Sequence, residues 1–202
     1  LYDGVDSWFS RVRSYGAEKG LAVEHYIISS GLKEMIEGTE PAKRGEFSEI
    51  YASSFYFNER GVAKWPAQAV NFTNKTQFLF RISKGTMDVN DGRVNDYMRE
   101  EELRVPFRNF VYIGDSATDI PCMKLVNSYG GHSVGVYDGA RLEVLHRAQV
   151  HKGLQLGHRE AEEGRIPRAD QHGLIAVVIA AGLEGHEDQL LLSQPLESLV
   201  AK

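Results

Sequence analysis

The chain has 202 residues, enough to bury a sizeable core, and it is most simply one domain. Hydrophobic residues at 42% and charged residues at 25% are ordinary for folded proteins, which argues against a disordered, collagen-like or coiled-coil chain. Acidic residues outnumber basic ones by 28 to 23, so a nucleic-acid partner, which needs clustered positive charge, is not expected.

Helical and strand patterns alternate through the first half of the chain. Apolar residues from Val5 onward recur at helical spacing until Gly20, and a short β-branched run precedes Ser30 and Gly31. Bulky and polar residues then alternate on both sides of a turn signal at residues 58–61. In order, we predict a helix over 5–19, a strand over 24–29, a tight turn at Ser30 and Gly31, a helix over 32–36 and a hairpin over 47–65.

The second half continues the alternation. We predict a helix over 75–82, a loop over 85–104, a strand over 110–113, a helix over 121–126, a strand over 133–137, a helix over 140–149 and a loop or weak helix over 151–170. The apolar run 174–183 fits a buried strand or a helix, and its flanks favour a closing helix. Alternating strands and helices predict an α/β fold, a three-layer Rossmann-like parallel sheet with helices on both faces, plus a small β-hairpin.

Cysteine content and hydropathy indicate a cytoplasmic protein. Cys122 is the only cysteine, so no internal disulfide forms and a reducing compartment is the simplest setting. The run 174–183 is shorter than the roughly 20 residues that cross a bilayer, and nothing near Leu1 resembles a signal peptide. We expect no membrane partner, and the sequence predicts no oligomeric state.

Two carboxylates follow the strand that ends at Ile113. Asp115 and Asp119 are four positions apart across a turn that begins at Gly114, just beyond a strand end, where α/β sheets gather their ligands. Carboxylates in such a turn can face one Mg²⁺ ion, which prefers oxygen ligands. The alternative is that Asp119 or Thr118 merely caps the next helix.

A hydroxyl and a lysine follow two other predicted elements. Ser29, Ser30 and Gly31 end a strand, where a hydroxyl and backbone N–H groups can receive a phosphate oxygen, although serine also caps helices. Lys75 begins a helix and can neutralise a phosphoryl group, although most lysines are simply solvated. Each signal is weak by itself.

The order of these three motifs resembles the second, third and fourth motifs of the haloacid dehalogenase-like superfamily. The amino-acid sequences of segments 25–39 and 74–82 are similar to those of its phosphoserine-phosphatase-like bacterial branch. The resemblance covers approximately residues 5–137. It implies that Ser29 binds the transferring phosphoryl group, that Lys75 neutralises it, and that Asp115 binds Mg²⁺ while Asp119 supports the metal shell or Lys75. The implied function is a magnesium-dependent phosphohydrolase acting on a small phosphomonoester.

The nucleophile that the resemblance implies is not found in the sequence. In this superfamily an Asp-x-Asp motif lies at the end of a central first strand. The segment most similar to that motif here is 88–92, but no apolar strand precedes it. Because the chain begins at Leu1 without methionine, we expect one core domain over 1–202, incomplete at its N-terminus. The first strand and a substrate-covering cap would then be missing upstream of Leu1, and the sheet would have a gap. The alternatives are a non-catalytic scaffold of the same fold and, less well matched, a receiver-like signalling domain. We expect little phosphatase activity from this chain alone.

Overall fold

The computed structural model describes residues 4–136 and 174–180, which form strands and helices in alternation. The strands are β1 (Ala22–Leu32), β2 (Glu49–Phe57), β3 (Ala63–Gln68), β4 (Phe110–Gly114), β5 (His132–Gly135) and β6 (Leu174–Ile179). The helices are α1 (Val5–Glu18), α2 (Lys33–Glu37), α3 (Glu40–Lys43), α4 (Lys75–Lys84) and α5 (Ile120–Ser128). The helix predicted over 140–149 and the loop or weak helix predicted over 151–170 lie outside the described residues.

The six described strands form one mixed sheet in the order β3-β2-β1-β6-β4-β5. Every neighbouring pair is parallel except β2 and β3, which are antiparallel. A short hairpin turn can join only antiparallel strands, so the predicted hairpin places β3 antiparallel to its neighbour. The α/β class and the hairpin are therefore confirmed, and the sheet is mixed but mostly parallel, because the hairpin strand β3 joins it at one edge.

Strand β6 lies in the centre of the sheet, between β1 and β4. Ile179 of β6 is aligned with Ile27 of β1 on one side and with Ile113 of β4 on the other. The helix favoured over 174–183 is therefore wrong for Leu174–Ile179, and so is the expected gap in the sheet. A β-branched strand here gives hydrogen-bond partners to the inner edges of β1 and β4, which would otherwise be costly to bury.

Helices cover both faces of the sheet. On one face, Tyr26, Ile28 and Tyr112 belong to a buried cluster with residues of α4 and α5, which are Phe78, Leu79, Ile82, Cys122 and Val126. On the other face, Ile27 packs with Ile36 of α2, and Val177 packs with Trp8 and Phe9 of α1. Successive residues of β1 thus alternate between two cores, as the period of a strand requires.

The first strand differs from prediction at its end. β1 continues through Ser30 and Gly31 to Leu32, where a tight turn was expected, and its pairing with β2 shifts register between Ser29 and Leu32. The change of direction is therefore made by an irregularity inside the strand. Within the described ranges, no helix is long and apolar enough to cross a membrane.

Candidate functional site

Strand register brings Ser29 and Asp115 to one edge of the sheet. Ile27, Ile179 and Ile113 are aligned across β1, β6 and β4, and each of the two site residues lies two positions beyond its isoleucine. Neighbouring strands are about 4.8 Å apart, so the two backbones lie roughly 10 Å apart on either side of the end of β6. This edge is formed by the carboxyl ends of parallel strands, where α/β proteins bind ligands.

Lys75 reaches the same edge from the first turn of α4. Its Nζ atom donates a hydrogen bond of 2.7 Å to Oδ1 of Asp119, and the two side chains are 3% and 0% exposed. A second, longer contact of 3.4 Å joins Nζ to the Thr118 hydroxyl. The alternative that Lys75 is simply solvated is therefore wrong.

Asp119 accepts hydrogen bonds at both carboxylate oxygens. Oδ1 receives the Tyr112 hydroxyl at 2.9 Å in addition to Lys75, and Oδ2 receives the backbone N–H and hydroxyl of Ser116 at 3.1 and 2.9 Å. Burial disfavours the charged carboxylate, but the bonds from Lys75, Ser116 and Tyr112 outweigh it and hold the pKa of Asp119 below its usual value. Burial raises the pKa of Tyr112 far above its usual range, so its hydroxyl remains a donor.

The contacts bear on the two roles suggested for Asp119. It holds Lys75 directly and closes the short turn that begins at Ser116. It is also the N-cap residue of α5 but makes no side-chain cap hydrogen bond there, so the capping interpretation of Asp119 is wrong for that helix. Sequence reasoning missed Tyr112, which was placed only in a buried strand. The available signal was its hydroxyl, because a buried tyrosine needs a hydrogen-bond partner.

Gly114 makes room for Asp119. A Cβ atom at this glycine would lie 2.7 Å from Cβ and 2.9 Å from Cγ of Asp119, and 2.9 Å from Cε of Met123. Atoms of a side chain cannot approach so closely. The glycine that ends β4 therefore allows the chain to fold back and place the carboxylate beside Lys75.

Ser29 is fully buried, and its hydroxyl accepts the Gly31 N–H at 3.0 Å. Ser30 is exposed, and its carbonyl oxygen accepts the Ser53 hydroxyl of β2 at 3.1 Å. Helix α2 begins only at Lys33 and has Leu32 at its N-cap, so neither serine caps it. The capping alternative for Ser29 is therefore wrong, and the local turn fixes the hydroxyl instead.

The described residues do not complete a magnesium site. Asp115 is exposed at the sheet edge, whereas Asp119 is buried and already accepts two hydrogen bonds at each oxygen. Over residues 4–136 and 174–180, no group of three His, Cys, Asp or Glu side chains is placed to hold a metal ion. Mg²⁺ at Asp115 would therefore need further oxygen ligands.

The central strand ends without a carboxylate in the part of the chain that the structure describes. Ile179 is followed by Ala180, whose N–H donates to the Ile113 carbonyl at 2.8 Å and which is 7% exposed. Ala180 thus lies between the strand ends that carry Ser29 and Asp115.

Comparison with known proteins gives a similarity but no family. No protein-family model matches the chain. The chain is 28% identical over 132 residues to an uncharacterized protein of Borreliella burgdorferi, and the match covers 58% of the chain. The chain spans 45% of that relative's length.

Proposed function

We propose that this chain is part of a magnesium-dependent phosphohydrolase of the haloacid dehalogenase-like superfamily, with a Rossmann-like core, acting on a small phosphomonoester through an aspartyl-phosphate. The observation that carries the proposal is the buried pair of Lys75 and Asp119 at the sheet edge that also holds Ser29 and Asp115. Three segments that are far apart in the sequence lie at this edge, and their order along the chain is the order of the corresponding motifs in that superfamily.

Each residue has a role that suits phosphoryl transfer. This reaction depends mainly on positioning and on neutralising the charge of the phosphoryl oxygens. Asp119 holds the Lys75 ammonium in a fixed position, from which it would neutralise that charge, and the fixed Ser29 hydroxyl would bind a phosphoryl oxygen. Asp115 would contribute one ligand to Mg²⁺, which when bound polarises the phosphoryl group.

The proposed enzyme also needs an aspartate nucleophile at the end of the central strand. Strand β6 occupies the central position and is followed by Ala180, which cannot attack phosphorus. We therefore expect the 202-residue chain alone to hydrolyse phosphomonoesters slowly or not at all. Turnover would require an Asp-x-Asp segment from outside this sequence whose strand takes the place of β6 between β1 and β4.

The same central strand favours a second candidate, a non-catalytic binding or scaffold protein of this fold. Because β6 pairs with both β1 and β4, the sheet has no gap that a nucleophile strand from elsewhere would need to fill. In this candidate Lys75 and Ser29 would bind a phosphorylated ligand, and no covalent intermediate would form.

The two candidates are separated by assaying the whole gene product and the 202-residue chain on small phosphomonoesters, with and without Mg²⁺. For the enzyme, the whole product turns over only with Mg²⁺, and Asp115→Ala lowers the rate by about 100-fold or more. Asp96→Ala, an exposed aspartate outside the motifs, is the matched control and leaves the rate unchanged.

Three results would decide against parts of this proposal. Unchanged turnover in Asp115→Ala removes the metal role of that residue. A clear magnesium-dependent rate from the 202-residue chain contradicts the expected inactivity of the chain. Phosphate binding by both proteins without any turnover supports the scaffold over the enzyme.

A further inference from the structure

A two-stranded arm extends past the carboxyl edge of the sheet. Strand β2 pairs with β1 only as far as Ser53, opposite Leu32, and from Ser54 onward it pairs with β3. We call residues 54–68 the arm. The four residues 54–57 carry it about 13 Å beyond the last pairing with β1, at the usual rise of a strand.

The arm exposes an unusual number of large apolar side chains. Every residue of β3 is exposed except Gln68, which is half-buried. The side chains concerned are Phe55, Tyr56, Phe57, Val62 and Trp65, which are 38%, 47%, 43%, 50% and 58% exposed. Two-stranded ribbons are only marginally stable in water, so an apolar arm of this kind gains from a covering surface.

Aromatic residues lie on both faces of the arm. The rings of Tyr56 and Trp65, a cross-strand pair, stack with centroids 4.6 Å apart and an interplanar angle of 12°. Phe55 and Phe57 flank Tyr56 in β2, and the alternation of successive strand residues predicts that they project from the opposite face. The pairing with β3 shifts register between Tyr56 and Phe57. Covering the arm therefore requires contacts on two sides.

The exposed apolar area is close to what a dimer needs. Aromatic side chains present roughly 200 Å² each, so the four aromatic residues of the arm expose about 370 Å² together. Val62 and Met35, which are 50% and 57% exposed, add to this surface. Met35 belongs to α2, which lies at the base of the arm because Glu34 Oε1 accepts the Phe55 N–H at 3.1 Å. A homodimer interface takes roughly 500 Å² of apolar area from each copy.

The charges of the arm suit a second copy of the same chain. Glu59 and Arg60 are adjacent in the polar tip, and Lys64 follows in β3, so the arm presents both signs. In a two-fold contact the same patch meets itself, and Glu59 of one copy can face Arg60 of the other. A charged tip is unsuited to entering a bilayer.

The edge of β3 indicates which surface makes the contact. Pro66 has no N–H to donate, and Lys64 adds a charge, both of which discourage the addition of another strand. The side-chain faces are left to associate. We propose that the arm joins two copies of this chain in a two-fold homodimer, packing one aromatic face on the partner's arm and the other on the partner's body.

The test measures the oligomeric state of the 202-residue chain by sedimentation equilibrium, from about 1 to 100 µM. The expected result is a dimer that Trp65→Ser weakens at least about tenfold, since central aromatic residues dominate interfaces. Phe57→Ser, on the opposite face, weakens it as well. Tyr97→Ser is the matched control, because Tyr97 is 89% exposed outside the arm, and it leaves the dimer unchanged.

A charge exchange distinguishes self-association from other occupants. Glu59→Arg leaves only positive charges at the tip of the arm, and we expect it to weaken the dimer. The double variant Glu59→Arg with Arg60→Glu again has one negative and one positive charge at the tip, and we expect it to restore association. A monomer at every concentration overturns the proposal, as does a dimer that Trp65→Ser leaves intact. A monomer whose Trp65 fluorescence is shielded from acrylamide also overturns it and assigns the arm another cover; Trp8 is buried and contributes little to that signal.

Discussion

The Nζ atom of Lys75 lies 2.7 Å from Oδ1 of Asp119, although the two residues are 44 positions apart in the chain. This contact joins the first turn of α4 to the turn that follows β4. Since both side chains are buried, each charge depends on the other for compensation. The pair therefore links the proposed phosphate chemistry to the stability of the fold.

Removing one member of this pair should destabilise the protein strongly. Lys75→Met or Asp119→Asn leaves a buried partner uncompensated, and we expect each to lower the free energy of unfolding by about 3–5 kcal/mol in urea titrations. The double variant should lose much less than the sum. Lys43→Met is the control, since Lys43 and Glu40 form an exposed pair. Single variants as stable as this control would contradict the buried-pair account.

Gly114 and Gly135 offer a matched test of the close approach at the end of β4. They are aligned across β4 and β5, but a Cβ at Gly114 collides with Asp119 while one at Gly135 meets nothing within 4 Å. We expect Gly114→Ala to cost about 1–3 kcal/mol of stability. Gly135→Ala should be neutral or slightly stabilising. Equal effects at the two positions would show that the collision is relieved at no cost.

Most elements were predictable because their signals are local. The helical spacing in residues 5–19, the hairpin turn and the proline in the first turn of α5 specify structure within a few residues. Strand β6 was not predictable, since a short apolar run fits a helix or a strand. Its choice depends on the two strand edges that it pairs with, which are distant in the sequence.

The candidate site was predictable in its residues but not in its contacts. Motif order selected Ser29, Lys75, Asp115 and Asp119, and parallel strands carry Ser29 and Asp115 to one edge. The hydrogen bonds that Asp119 accepts from Lys75 and Tyr112 depend on tertiary structure, so its metal role could not be weighed against its role as the partner of Lys75. The turn at Ser29 was also missed, because the sequence favoured a helix that begins directly after Gly31.

His25 should make the protein sensitive to mild acid. It is buried against Trp8 and Phe9, and burial together with the nearby Arg13 guanidinium lowers its pKa to about 4, while Glu46 acts in the opposite direction. Between this value and about 6.5, the unfolded chain binds a proton that the folded chain does not. Stability should therefore fall as the pH is lowered through this window, by roughly 1.4 kcal/mol per pH unit.

The measurement is urea unfolding at a series of pH values from about 7 to 4, in the window defined by the two pKa values. His25→Gln should flatten the dependence, because it removes the titrating group. His132→Gln is the control, since His132 is exposed in β5, and it should keep the wild-type slope. A wild-type slope in His25→Gln would assign the acid sensitivity to other groups.

Arg81 should be essential for the loop that follows α4. Its buried guanidinium donates to four backbone carbonyls in this loop, at 3.4, 2.6, 2.7 and 3.2 Å, which belong to Thr86, Asp88, Val89 and Asp91. A lysine keeps the charge but lacks the planar, forked set of donors that reaches several acceptors together. Arg81→Lys should therefore leave carbonyls without partners and cost at least about 2 kcal/mol of unfolding free energy.

Hydrogen exchange locates this effect. In Arg81→Lys the amides of residues 86–91 should exchange faster than in the wild type, while those of β4 change little, because the carbonyls that lose their donor are all in the loop. Arg11→Lys is the control, since Arg11 is exposed in α1, outside this loop, and it should leave stability and exchange unchanged. Unaltered exchange in Arg81→Lys would mean that the backbone of the loop maintains its own conformation and does not depend on the guanidinium of Arg81.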